Sequence, residues 1–109
     1  MVESQNVESE ESWRDEYLKW ICGFANAQGG RIYIGIRDDG SVNGVPDAAR
    51  LLEDIPNKIR NSMGILADVN LLNREGKNVV EIIVPPVAYP VSCRGEYHYR
   101  CGSTKQELR

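Results

Sequence analysis

The sequence lacks the features of a membrane or secreted protein. No apolar run among its 109 residues is long enough to span a bilayer, and residues 1–5 are acidic, with no hydrophobic signal core. Cysteine is scarce, and its three copies cannot all pair within one chain: Cys22, Cys93 and Cys101. An unpaired thiol is more typical of a reducing compartment than of a disulfide scaffold. These absences predict a cytoplasmic protein that does not bind a membrane.

The sequence also lacks an excess of positive charge. With 13 Lys and Arg residues against 16 Asp and Glu residues, its formal net charge is −3. This balance excludes binding of nucleic acid or of an anionic membrane by bulk charge, so any such binding must come from a local basic surface.

Motifs for metal and nucleotide sites are missing as well. There is no Cys-x-x-Cys pair, and the single histidine, His98, is three residues from Cys101 on a predicted strand, where the two side chains would point to opposite faces. We therefore predict no metal site at these residues, and we expect Cys22 and Cys101 to be small core residues. The sequence has no Gly-x-x-x-x-Gly-Lys-Ser/Thr loop, so nothing in it predicts ATP binding.

The clearest structural signal is an apolar helix that leads through a double glycine into a strand. The spacing of apolar residues predicts a helix over residues 13–27, with Ser12 as the N-cap candidate. Its apolar face carries Leu18, Ile21, Phe24 and Ala25. Gly29 and Gly30 follow, where a residue without Cβ can adopt the left-handed conformation that ends a helix. We expect Asn26 to be a helix-end residue whose side chain caps backbone groups rather than a catalytic amide.

The strand after the glycines alternates in character. Its predicted apolar face carries three isoleucines: Ile32, Ile34 and Ile36. Its other face, free to meet solvent or a partner, carries Arg31, Tyr33 and Arg37. Residues 38–40, with the sequence Asp-Asp-Gly, predict a turn.

The remaining pattern completes a small α+β fold. Further elements are predicted in this order: a short strand over 41–45, a second helix over 46–63 that Pro56 kinks or splits, a hairpin of 67–72 and 78–84, and a strand pair of 91–93 and 96–101. A chain of 109 residues supports one hydrophobic core. We predict a single domain in which two main helices pack on a mixed, largely antiparallel sheet. Its strands are the segments around Arg31, Val69, Val79 and Tyr97, with Ile34 and Ile82 in the core.

The end of the sequence predicts the start of another helix. Ser103 precedes Gln106 by three residues, as in a capping box. Only a turn or two would remain before Arg109, and so short a helix is not stable alone. We therefore divide the chain into a domain over residues 1–102 and a truncated helix over 103–109 that leads to a missing C-terminal region.

Five segments occur in an order that resembles a known family: residues 3–8, 17–26, 29–40, 43–45 and 99–103. Together they are similar to the Schlafen AlbA-type DNA-binding domain. The most specific part is the Phe-Ala-Asn-x-x-Gly-Gly run that begins at Phe24 and continues to Gly35. The resemblance implies a mixed α/β domain that associates with nucleic acid. In bacteria such domains often form the N-terminus of proteins labelled RecG-related ATP-dependent DNA helicases or transcriptional regulators, often with a winged-helix region further on.

Taken with this resemblance, the basic and aromatic residues of the strands are the candidates for nucleic-acid contact. Arginine and lysine bind phosphates, and tyrosine rings stack on unpaired bases. The predicted binding residues are Arg31, Tyr33, Arg37, Arg94, Arg100 and Lys105, with Tyr97 and Tyr99 as further stacking surfaces. On charge pattern alone, the same residues also fit an ordinary solvated strand face.

Two other functions stay open. Some Schlafen proteins cut RNA with three carboxylates, and the resemblance places them at Glu3, Glu8 and Asp38, where they would hold Mg²⁺ or Mn²⁺. Glu10 departs from the family pattern, which has a lysine at this position. The alternative interpretation is that Glu3 and Glu8 are solvated in the terminal segment and that Asp38 only forms a turn. Enzyme activity of this segment is therefore not the expected outcome. The third function is a protein interaction or homo-oligomerisation module, in which an exposed sheet edge or the tyrosine-rich face pairs with another copy.

Overall fold

Two helices cover one face of a four-stranded sheet, and a smaller sheet lies beside the first helix. The computed structural model describes the backbone of residues 6–93, 96–101 and 104–108, and the side chains of residues 6–93. The helical elements are a 3₁₀ turn at Asp15–Tyr17, α1 at Leu18–Ala25 and α2 at Ala48–Met63. The strands are β1 Val7–Glu10, β2 Gly30–Ile34, β3 Asp68–Arg74, β4 Lys77–Val84, β5 Ser92–Cys93, β6 Glu96–Cys101 and β7 Thr104–Leu108.

The large sheet has the strand order β1-β2-β4-β3. β1 runs parallel to β2, whereas the β2–β4 and β3–β4 pairs are antiparallel. The prediction of a single α+β domain with a mixed, largely antiparallel sheet is therefore confirmed. One strand assignment is wrong, because the Tyr97 segment belongs to the second sheet and Val7–Glu10 is the fourth strand instead. The Val-Glu-Ser-Glu sequence of β1 has only one fully buried residue, so it carries little apolar signal for a strand.

The first predicted helix exists but begins later than its pattern indicates. Ser12 is not its cap, because the chain enters through the 3₁₀ turn behind Arg14, which is extended and makes no side-chain cap. At the other end, Gly29 has φ 77° and its N–H donates to the carbonyl of Phe24 at 2.8 Å. Gly30, in contrast, does not have a positive φ. A glycine is required there because a Cβ would overlap the Phe24 ring. The two glycines thus serve different purposes.

Gly35 breaks the alternation predicted for β2. Its φ of 110° turns the chain, and Ile36 then packs with Tyr33 and Val79 on the face away from the helices. Ile32 and Ile34 stay on the helix side, fully buried as predicted, and so is Ile82. The expectation that all three isoleucines share one face is therefore wrong for Ile36. The predicted strand at 41–45 is reduced to a single bridge between Ile36 and Val42.

The second helix passes through Pro56 without dividing. It runs as one element from Ala48 to Met63 and ends at Gly64, which has φ 73°. Proline removes one hydrogen-bond donor from a helix interior, but a row of buried side chains on this helix holds it against the sheet. Those side chains are Ala48, Leu51, Ile55, Ile59 and Met63. Of the two effects predicted for Pro56, a kink or a split, the split into two shorter helices is wrong.

The predicted hairpin is confirmed, with longer strands than expected. β3 and β4 are joined by Glu75 and Gly76, whose φ values of 55° and 75° are both positive. Positive φ at both central residues is the signature of a type I′ turn, which matches the twist of the strands. The turn at residues 38–40 is also present, with Gly40 N–H donating to the Arg37 carbonyl at 2.9 Å.

The helix predicted at the C-terminus is wrong over residues 104–108. This segment is β7, which pairs with β6 from Tyr97↔Leu108 to Cys101↔Thr104. Pairing satisfies the backbone groups along the segment, whereas a helix of one or two turns is unstable. The strand pair predicted at 91–93 and 96–101 is confirmed as β5 and β6. Residues 103 and 109 lie outside the described residues, and a further C-terminal region stays a prediction.

Neither helix in the described part of the chain combines the length and apolar character that a membrane crossing needs.

Candidate nucleic-acid interface

Arg31, Tyr33 and Glu81 form a polar cluster on the sheet face away from the helices, here called the Arg31 cluster. β2 and β4 place Tyr33 and Glu81 directly opposite one another. The Tyr33 hydroxyl donates to Glu81 Oε2 at 3.0 Å, and Arg31 Nη1 lies 4.0 Å from the same oxygen. Asn70 from β3 donates to the other carboxylate oxygen at 3.3 Å. Glu81, on β4, therefore contacts three side chains from two neighbouring strands, β2 and β3.

Arg31 keeps much of its surface available for a ligand. Its side chain is 55% exposed, whereas that of Glu81 is 14% exposed. Contact with the Tyr33 hydroxyl, and then the charge of Glu81, raise the pKa of the Arg31 guanidinium. The cluster thus presents a permanent cation whose charge is partly offset by a carboxylate beneath it.

An open depression of about 410 Å³ adjoins Arg31. Gln28, Gly29 and Gly30 contribute to its wall, together with Asn6, whose carbonyl accepts a 2.8 Å hydrogen bond from the Arg31 N–H. The glycines are tightly placed, since a Cβ on Gly29 would lie 2.6 Å from the Val84 carbonyl oxygen. Apolar side chains form the rest of the wall: Val7, Tyr33, Ile83 and Val84. The depression beside the guanidinium therefore combines backbone and amide groups with an apolar surface.

Arg37 does not join this cluster. It follows β2 by three residues, beyond the turn at Gly35, while Arg31 is the second residue of the strand. Arg37 Nε is 3.8 Å from Glu11 Oε1, and its Nη1 donates to Ser41 Oγ at 3.3 Å. The two arginines flank β2 from opposite ends rather than forming one patch.

Tyr33 is buried rather than presented to solvent. Its relative exposure is 6%, because it packs with Ile36 and Val79 while its hydroxyl binds Glu81. The expectation that strand alternation would expose this ring for base stacking is therefore wrong. One feature of the sequence indicates a polar partner for Tyr33: Glu81 is the single charged residue in the otherwise apolar run from Val79 to Val84.

The other predicted basic residues lie at the C-terminal end of the chain. Arg100 and Lys105 are cross-strand partners of β6 and β7. Arg94 lies outside the described residues, and the side chains of Tyr97, Tyr99, Arg100 and Lys105 also lie outside the described part. Their contacts with nucleic acid stay predictions.

An acidic cleft of about 480 Å³ lies at the other end of β2. Its wall carries four carboxylates: Glu10, Glu11, Glu16 and Asp38. The Tyr17 hydroxyl donates to Glu10 Oε1 at 2.9 Å, and burial, reinforced by the hydrogen bond and charge of Glu10, raises the pKa of Tyr17 to about 12. Glu10 is therefore part of a structural pair.

The predicted carboxylate triad is not assembled in this cleft. Asp38 lines it, but Glu8 lies in β1 opposite Ile32 and is not among the residues that line the cleft. Glu3 lies outside the described residues. Within residues 6–93, no group of three or more His, Cys, Asp or Glu side chains is arranged to hold a metal ion.

Asn26 fastens α1 to the strand pair beyond β4. Its Nδ2 donates to the Val91 carbonyl at 2.7 Å, and its Oδ1 accepts from the Val91 N–H at 2.6 Å. The buried Cys22 thiol donates to the same carbonyl at 3.2 Å. Asn26 lies at the end of α1 as predicted, but the backbone groups that its side chain binds belong to Val91, 65 residues away. No local pattern identifies that partner.

Four residues of the run from Phe24 to Gly30 have defined structural roles. Phe24 fills the space that Gly30 leaves open, Asn26 binds Val91, and Gly29 supplies the left-handed turn. The model of the Schlafen, AlbA_2 family matches residues 3–109 of the sequence. The chain belongs to the Schlafen AlbA_2 family.

Two solved structures share this AlbA_2 fold. The DIP2311 protein from Corynebacterium diphtheriae aligns with a TM-score of 0.78 and 21% sequence identity, over 95% of this chain and 22% of that one. The N-terminal domain of a candidate ATP-dependent DNA helicase, a RecG-related protein from Nitrosomonas europaea, aligns with a TM-score of 0.70 and 21% identity, over 97% of this chain and 84% of that one. No curated protein matches the sequence.

The AlbA_2 chain spans only 22% of the length of the DIP2311 protein.

Proposed function

We propose that this AlbA_2 domain binds nucleic acid, with DNA as the first candidate, as a module of a larger regulatory or helicase-related protein. Family membership over residues 3–109 supports the proposal, as does the fold shared with the N-terminal domain of a helicase-related protein. The carrying observation is the exposed Arg31 guanidinium, held by Tyr33 and Glu81 beside an open depression.

The chemistry near Arg31 suits a phosphate backbone better than a base. A guanidinium binds phosphate oxygens in pairs, and Gln28 can add an amide donor at the same depression. Tyr33 is too buried for stacking, and Glu81 offsets part of the cationic charge. We therefore expect weak binding with little sequence preference, with a Kd of about 1 to 100 µM.

Fluorescence anisotropy with labelled single-stranded DNA, double-stranded DNA and RNA tests this proposal across a salt series. The double variant Arg31→Ala with Arg37→Ala should weaken binding about tenfold and reduce the slope of log K against log salt by up to about 2. Its melting temperature should stay nearly unchanged, because exposed ion pairs contribute only about 0 to 1 kcal/mol.

A matched control is Arg14→Ala with Arg50→Ala, which removes the same charge from side chains that are 69% and 71% exposed. This control should bind nearly as well as the parent. Equal losses in both double variants would mean that overall charge, rather than Arg31 and Arg37, governs binding. Arg31→Ala alone should account for most of the loss, because Arg37 is paired with Glu11 at the other end of β2. No salt-dependent binding to any of the three nucleic acids would refute the proposal.

A further inference from the structure

The outer edge of β3 has an unpaired, self-complementary pattern. β3 is at one end of the strand order, and among the described residues only β4 pairs with it. Native proteins commonly protect an edge strand with lysine, proline or a bulge. The β3 sequence, Asp-Val-Asn-Leu-Leu-Asn-Arg, contains neither lysine nor proline, and its pairing with β4 is continuous from Asp68 to Arg74.

The register of the hairpin shows which backbone groups face outward. A two-residue turn is closed by a hydrogen-bonded pair, here Arg74 and Lys77, and such pairs then alternate along the strands. The even-numbered residues of β3 therefore direct their N–H and C=O groups toward β4. The odd-numbered residues Val69, Leu71 and Asn73 direct theirs toward the open edge.

We propose that β3 pairs antiparallel with β3 of a second copy of this chain, about a two-fold axis at Leu71. In this register Leu71 faces its own counterpart, and Val69 faces Asn73. These are the outward-directed residues, so they can exchange backbone hydrogen bonds across the axis. The two four-stranded sheets then join into one sheet of eight strands.

Charge complementarity supports this register. Asp68 comes to lie opposite Arg74 of the second copy at both ends of the pairing, in the positions where facing side chains are closest. Both residues are exposed, and within residues 6–93 neither takes part in an ion pair. In a single copy, Arg74 instead faces the like charge of Lys77 across the hairpin. Pairing gives each arginine a carboxylate.

Apolar burial favours the same arrangement. Leu71 is 49% exposed in a single copy, and the two-fold axis would cover it with the same residue. The opposite edge strand, β1, does not offer an equivalent self-pairing. It carries Glu8 and Glu10 with no cation among its residues, so two copies would repel each other.

The test uses charge reversal at the two complementary positions, with sedimentation velocity over a concentration series. The parent chain should form a dimer. Asp68→Arg alone and Arg74→Asp alone should each weaken the dimer by at least about tenfold, because two attractive pairs become repulsive. The double variant Asp68→Arg with Arg74→Asp should recover dimerisation, because each pair is restored with its charges exchanged.

Mixing the two single variants tests the proposed pairing of Asp68 with Arg74 most directly. Asp68→Arg supplies two cations and Arg74→Asp supplies two carboxylates, so the heterodimer has both pairs while each homodimer has none. Energy transfer between differently labelled variants should therefore exceed that within either variant alone. Glu53→Arg, the same charge change on an exposed position of α2, should leave the parent dimer unchanged.

Folding is checked by circular dichroism for every variant. A parent chain that stays monomeric at all concentrations would overturn the proposal. A dimer that is unaffected by both single reversals, or a mixture that fails to form the heterodimer, would overturn the register and with it the proposed interface.

Discussion

The two ends of β2 differ in charge although one short strand connects them. At its start, Arg31 is exposed beside an open depression, over a single partly buried carboxylate. At its far end, Arg37 pairs with Glu11 next to a cleft walled by four carboxylates. A phosphate backbone can approach the first end without facing concentrated negative charge. A protein of net charge −3 can therefore still expose a cation away from its concentrated negative charge.

The ends also differ in what holds them in shape. The Arg31 end follows a turn of tightly packed glycines that Asn26 fastens to Val91. The acidic end is arranged by the hydrogen bond from Tyr17 to Glu10 and by stacking of Tyr17 on Trp20, with ring centroids 4.3 Å apart. The first is a glycine turn held by one buried amide, and the second is a set of contacts between side chains.

The largest expected effect concerns the scaffold of the Arg31 end. Asn26→Asp keeps the acceptor for the Val91 N–H but places a carboxylate against the Val91 carbonyl, which loses its amide donor and retains only the Cys22 thiol. We expect the free energy of unfolding to fall by about 2 to 4 kcal/mol, as for a broken buried polar pair. Denaturant unfolding measures the change. Asn57→Asp, on the exposed side of α2, is the control and should cost less than about 0.5 kcal/mol.

The next effect tests the acidic end through its pH dependence. Tyr17 has a pKa of about 12 in the fold and ionises near pH 10 when unfolded. Its neutral form thus contributes stability that is fully present below about pH 10 and is lost as the pH rises toward about 12.

Comparing the parent with Tyr17→Phe isolates this contribution. Near pH 8 the variant should be less stable by about 1 kcal/mol, because the bond to Glu10 is gone. The difference between the two proteins should narrow between about pH 10 and 12. Tyr89→Phe, at a site 83% exposed, is the control. If the difference in the free energy of unfolding stays constant from about pH 10 to 12, Tyr17 does not have the raised pKa.

A smaller effect is expected from weakening the negative charge at the far end. Glu11→Gln with Asp38→Asn should raise nucleic-acid affinity about twofold at low salt, and the gain should vanish as salt screens the charges. The control Glu53→Gln with Glu75→Gln makes the same charge change at exposed positions elsewhere. If it produces the same gain, the two ends of β2 do not differ for the ligand and only net charge matters.

The last prediction is that divalent metal ions have no effect on this protein. Mg²⁺ or Mn²⁺ should not raise the melting temperature, and no metal-dependent cleavage of RNA or DNA should occur, because Asp38 shares its cleft with the Tyr17-bound Glu10 and not with Glu8. Gel analysis of labelled substrates and thermal melting check this. Metal-dependent products that disappear with Asp38→Asn would make the nuclease the primary function.

Local patterns predicted much of the fold. The apolar spacing of α1, the hairpin of β3 and β4 and the buried positions Ile34 and Ile82 all follow from periodicity and turn chemistry. The candidate site was harder. Arg31 is exposed as the alternation predicted, but Tyr33 is not, because Glu81 from another strand binds its hydroxyl.

The sequence by itself determined where the chain turns and which helix faces are apolar, because those properties depend on residues a few positions apart. Tertiary structure decided the rest. It set Val7–Glu10 as an edge strand, placed residues 104–108 in a strand beside β6, and joined Asn26 to Val91. These outcomes depend on backbone groups distant in sequence finding partners, and a polar segment takes whichever partner the assembled core places beside it.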